Sequence, residues 1–94
     1  MIFSVNPHNL IYSNLVGLKV RIAASTDPTH VGVTGIVVDE TARTLVVSAG
    51  GREKVIPKVS SSFAFHLPGE VLVDGNSIAF SPEERLKRLQ RRRM

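Results

Sequence analysis

The residues best able to do chemistry in this sequence are its cations, and they fall into three groups. Lys19 and Arg21 lie two apart in LKVRIA, and Arg52 and Lys54 two apart in REKVIP, with Lys58 just beyond. Arg85, Lys87, Arg88, Arg91 and Arg92 crowd the C-terminal stretch. Side chains two apart on a strand share a face, so each of the first two pairs is expected to point outward together. Residues 1–82 carry six basic and six acidic side chains, whereas 83–94 carry six basic and two acidic, so the whole formal charge of +4 resides in the last stretch. Such a cluster repels itself and calls for an anionic partner, nucleic acid ahead of membrane. If six of these cations met phosphates, affinity would fall with salt at a slope of about −4 to −5, taking 0.7–0.9 ions per contact. The competing reading of each is a solubilising charge, paired with Asp39, Glu53 or Glu70 or simply solvated.

Other reactive residue types form no constellation. His8, His30 and His66 are scattered without the i,i+4 spacing of a helical metal pair, and no acid–histidine cluster accompanies them. Ser60–Ser62 lack a nucleophile-elbow setting, and Asp39–Glu40 sits where a hairpin turn uses acids structurally. There is no cysteine, hence no disulfide and no thiolate zinc site. No catalytic residue, metal site or cofactor is therefore expected in the chain. One tyrosine and four phenylalanines, two of them (Phe63 and Phe65) patterned as core, give little for base stacking. Recognition of RNA would run through phosphates, riboses and shape.

These cations must be positioned by a single small domain spanning residues 1–94. Asn6-Pro7 and Gly17 bracket a short N-terminal helix, 6–16, with Leu10 and Ile11 on its apolar side. From Leu18 the period changes to two, and a barrel is expected over 18–80. Its strands are LKVRIA, VTGIVVD (33–39), TLVVSA (44–49), REKVIP (52–57), the stretch around SSFAFH to His66, and EVLVD (70–74). Five or six short strands joined by tight turns point to a small closed antiparallel β-barrel, with Gly35 at a sharp bend. Ser81-Pro82-Glu83-Glu84 is a capping box opening a basic helix, 82–93, with Leu86 and Leu89 on one face. No export signal or membrane-length apolar run is visible, so a cytoplasmic location is expected. If Asp39 pairs with Thr44 across the hairpin, Val37 and Val46 form an apolar pair on the barrel's outer side, to be covered by a terminal helix or a partner.

Several segments together resemble archaeal ribonuclease P protein component 1: LVGLKVRI (15–22), VGVTGIVVDETARTLVV (31–47), KVIPK (54–58), FAF-x-LPG (63–69) and SPEERLKR (81–88). The likeness runs from about residue 6 to residue 92. It implies an Sm-like antiparallel barrel flanked by short helices, working in removal of the 5′ leader from precursor tRNA. It also implies that the ribonuclease P RNA with Mg2+ is the catalyst, that precursor tRNA is met indirectly, and that a zinc-ribbon subunit is the protein partner. On that reading Leu10, Ile11, Val37, Val46, Leu86 and Leu89 face the partner protein, and the cations face RNA. The chain departs from the family pattern at Arg43, in place of asparagine, and at Ser81, in place of arginine. Competing readings are a ring-forming Sm-like RNA chaperone, an autonomous nuclease and a ribosomal barrel protein.

Overall fold

Alternating apolar residues and tight turns build six strands: β1 (Lys19–Ser25), β2 (Thr34–Glu40), β3 (Thr44–Ala49), β4 (Arg52–Pro57), β5 (Ser61–His66) and β6 (Glu70–Asp74). The computed structural model describes Leu10 and residues 14–67, 69–81, 83–85 and 87. Every pairing is antiparallel, in the order β4-β3-β2-β1-β5-β6. One core draws on all six strands: Val20 and Ile22, Val37, Leu45 and Val47, Ile56, Phe63 and Phe65, and Val73, with Ile78 beyond β6. A flat sheet could not bring its two outermost strands into one cluster, so the sheet curls around its apolar face into a barrel-like shell. Phe63 and Phe65 anchor it, their ring centroids 6.1 Å apart.

Two irregularities set the geometry. β2 bulges between Val37 and Asp39, so the register runs Val37↔Val47 but Asp39↔Val46 and Glu40↔Leu45. An extra residue inverts the alternation beyond it. Val37 is buried before the bulge and Glu40 after it, while Val38 turns outward at 40% exposure. The expected Asp39–Thr44 pairing is thus corrected by two residues, to Asp39–Val46, and Val37 moves by one, from Val46 to Val47, while the connection shortens to Thr41-Ala42-Arg43. The Thr41 hydroxyl accepts from the backbone N–H groups of Arg43 (3.3 Å) and Thr44 (3.0 Å), which lets arginine replace asparagine without a left-handed backbone. At the close crossing of β2 and β3, a Cβ on Gly35 would lie 2.0 Å from the Ser48 carbonyl oxygen. Glycine is required there by this close approach of backbones, and the bulge itself falls two residues further on.

The ends dock on the barrel. Gly17 N–H donates to the Val37 carbonyl (2.7 Å), and Leu10 and Leu15 are buried in the core. Asn14–Gly17 is a turn held by the Asn14 side chain accepting from Val16 N–H, so the N-terminal helix does not extend to residue 16; the remainder of that expectation lies outside the described residues. After β6, a short 3-10 helix (Gly75–Ile78) is capped by Asp74. Residues 83–85 and 87 are helical, and Ser81 caps them, its Oγ accepting from Glu84 N–H at 3.2 Å. Among the described residues, no helix is long and apolar enough to cross a membrane.

Candidate nucleic-acid interface

Strand alternation divides the expected cations into separate sets. On β1, Lys19 is exposed and Arg21 half-buried, both on the outer face opposite Val20 and Ile22. Arg21 is held by a fork to Glu70 at the start of β6: Nε to Oε2 at 3.0 Å and Nη2 to Oε1 at 2.8 Å. Hydrogen bonding to Arg21 keeps the Glu70 carboxyl below its ordinary range, and the same bond raises the guanidinium pKa. Arg52 and Lys54 are exposed on β4, but they alternate in phase with the core residue Ile56. They therefore stand on the other side of the sheet from Lys19 and Arg21, and the single outward surface expected for both pairs is not formed. Lys87 is exposed on the C-terminal helix, while Arg88, Arg91 and Arg92 lie outside the described residues.

Lys58 and Arg85 are corrections to the expected RNA-facing set. Both are buried, with side chains 0% and 1% exposed, because the β2 bulge swings Glu40 inward to meet them. Lys58 Nζ donates to Glu40 Oε2 (2.8 Å) and to the carbonyls of Thr41 (2.6 Å) and Phe80 (3.0 Å), with Ala42 O at 3.3 Å. Arg85 Nη2 donates to Glu40 Oε1 (2.5 Å). The carboxylate joins Lys58, just beyond β4, to the C-terminal helix through Arg85, and Lys58 in turn ties in the β2–β3 turn and the segment after β6. Burial lowers the pKa of both cations, and Glu40 opposes that shift. Arg85 Nε and Nη1 are buried with no hydrogen-bond partner. This triad is structural, and it explains why the C-terminal helix packs where it does.

The apolar expectations are also redistributed. Val37 and Leu10 are core, not partner-facing, since the bulge and the N-terminal turn bury them. Val46 stays half-buried on the outer face, opposite Val55, which is 58% exposed. With Ile36 and Val38 on β2 it forms an exposed aliphatic stripe across three strands. Ile11, Leu86 and Leu89 lie outside the residues described. His66 is exposed and His30 Nε2 stands 3.7 Å from Asp27 Oδ2. Among the described residues, no three histidines or acids gather as metal ligands.

The fold and these charges meet a decisive comparison. Residues 8–88 match the sequence profile of the family described as Ribonuclease P/MRP, subunit p29. The chain belongs to this ribonuclease P/MRP p29 family. Ribonuclease P protein component 1 of Methanocaldococcus jannaschii is 46% identical over 86 residues, covering 89% of this chain and 90% of that protein. Its counterpart from Desulfurococcus amylolyticus is 46% identical over 90 residues, covering 93% and 98%. A solved structure titled as Mth11, a homologue of human RNase P protein Rpp29, is 43% identical with a TM-score of 0.58, over 77% of this chain and 96% of that one. In this p29 chain the three members of the triad fall in three of the segments that carried the resemblance: DET, KVIPK and PEERLKR. Residue type suggested solvent-facing charges there. Their pairing became visible only once the bulge was placed.

Proposed function

We propose that this chain is an RNA-binding, barrel-like subunit of ribonuclease P, which supports the RNA subunit in removing the 5′ leader from precursor tRNA. The observation that carries the reading is a match to ribonuclease P protein component 1 proteins along nearly the whole chain, at up to 46% identity. On this reading catalysis and its Mg2+ belong to the RNA. The described residues contribute exposed cations on two sides of the sheet. The stripe of Ile36, Val38, Val46 and Val55 supports a protein partner, and the zinc-ribbon subunit is the one we assign to it. A homomeric ring is less well supported: of the two outer strands, β4 carries Arg52, Glu53, Lys54 and Pro57, and the short β6 is bounded by Glu70 and Asp74, residues that discourage strand addition. Reconstitution of ribonuclease P from its RNA and protein subunits, with and without this chain, tests the assignment. Leader cleavage should rise when the chain is added. Equal cleavage at every magnesium concentration would refute it, as would sustained cleavage by the protein alone.

A further inference from the structure

A trough of about 190 Å³ runs along the outer face of β1, between β2 and β5–β6. Its depth follows from the register. Arg21 is flanked in the sheet by Thr34 on one side and Ala64 on the other, so short side chains leave low ground around a long one. Lys19 and His66 stand at its sides, and Glu70, opposite His66, closes it by gripping Arg21. A trough of that size is on the scale of one sugar–phosphate unit rather than a helix.

The chemistry of its walls is mixed in a way that selects among ligands. A bare anion would be served by Lys19 and Arg21 and opposed by the Glu70 carboxylate held against Arg21. A bidentate fork occupies two of the guanidinium's five N–H groups and two of the carboxylate's acceptor positions, leaving donors and acceptors in one fixed plane. The matching ligand carries a hydroxyl donor beside a negative charge. An RNA ribose, with its 2′-hydroxyl next to the 3′-phosphate, is such a ligand, and a deoxyribose is not. We propose that this trough takes the ribose–phosphate of a single RNA nucleotide, with Lys19 and Arg21 meeting the phosphate and Glu70 accepting from the 2′-hydroxyl. Leu72, 68% exposed and paired with Ala64, supplies an apolar rim for the sugar or base. The proposal rests on the RNA-binding reading above and adds a way for the chain to tell RNA from DNA at one position.

The test uses the full chain with ribonuclease P RNA transcripts carrying sparse 2′-deoxy phosphorothioate substitutions, separated into bound and unbound pools and compared with phosphorothioate-only controls. Wild type should show at least one position where the 2′-deoxy substitution weakens binding, by about tenfold for a charge-assisted hydrogen bond. Glu70→Ala should erase that position while leaving other interference unchanged, and Lys19→Ala should weaken binding without erasing it. Both side chains are exposed, so a thermal melt matching wild type accompanies each variant. If Glu70→Ala keeps every 2′-deoxy position seen with wild type, or wild type shows none, the proposal is overturned and RNA binding stands. If wild type does not bind the transcript at all, the RNA-binding reading fails as well.

Discussion

Glu40→Gln tests the buried triad most sharply. The substitution keeps shape and volume but removes the one negative charge between two cations that are 0% and 1% exposed. Stripping the counter-charge from a buried ion pair costs about 3–5 kcal/mol, because the remaining charge is left desolvated and uncompensated. The whole stability of a domain this size, at roughly 0.05–0.15 kcal/mol per residue, is about 5–14 kcal/mol. Glu40→Gln should therefore remove about a fifth of it or more, and the midpoint of thermal unfolding should fall by at least about 12 °C, at 4–8 °C per kcal/mol. Lys58→Met should be milder. It leaves Glu40 and Arg85 as a balanced pair, though it strips an N–H donor from the Thr41 and Phe80 carbonyls. Thermal unfolding followed by circular dichroism measures both, with urea unfolding supplying the m-value. Because the node is dry, raising salt from about 0.1 to about 1 M should not narrow the gap to wild type, as it would for exposed charges. An unchanged midpoint at equal m-value for Glu40→Gln would refute the reasoning, and so would a larger loss in Lys58→Met.

Three further outcomes are expected. Val38→Asp should leave the unfolding free energy within about 0.5 kcal/mol of wild type yet abolish binding of the zinc-ribbon subunit in a calorimetric titration, whereas Val37→Asp, one residue away, should unfold the barrel. Gly75→Ala would bring a Cβ 1.6 Å from the Lys58 carbonyl oxygen, so its unfolding free energy should fall by at least the 1–3 kcal/mol typical of overpacking, roughly. Filter binding to ribonuclease P RNA across a salt series should show a slope shallower by about 0.7–0.9 for Lys19→Ala; an unchanged slope would place Lys19 away from phosphate.

Much of this architecture can be read directly from residue types. The alternation in LKVRIA and the turns at Gly50-Gly51 and Gly75-Asn76 place the strands within a residue or two of where they stand. Ser81 stands as the N-cap that the S-x-x-E pattern predicts, its Oγ accepting from Glu84 N–H. The bulge in β2 is not legible, for a physical reason. Ile36, Val37 and Val38 are all aliphatic and can face either way, so an inserted residue there leaves no mark on the pattern. From that one silent position follow the slipped hairpin register, the inward turn of Glu40 and the burial of Lys58 and Arg85. Arg52 and Lys54 mislead differently. An edge strand can leave charges exposed even in phase with its core residue, so polarity alone does not report which side of the sheet they occupy.

The place of β1 in the sheet has a consequence for how the chain reaches its native state. β1 to β4 pair with their neighbours in sequence and can form as a meander, as can β5 and β6. The second edge of β1 must wait for β5, which follows three other strands, and the Val20↔Phe65 and Ile22↔Phe63 pairs close the longest loop in the sheet. Closure of that loop is where chain entropy is lost before contacts repay it, so it sets a millisecond-to-second pace typical of non-local β topologies. Truncating Phe63 should slow the refolding arm of a chevron plot, while truncating Val55 on the outer edge should leave both arms nearly unmoved.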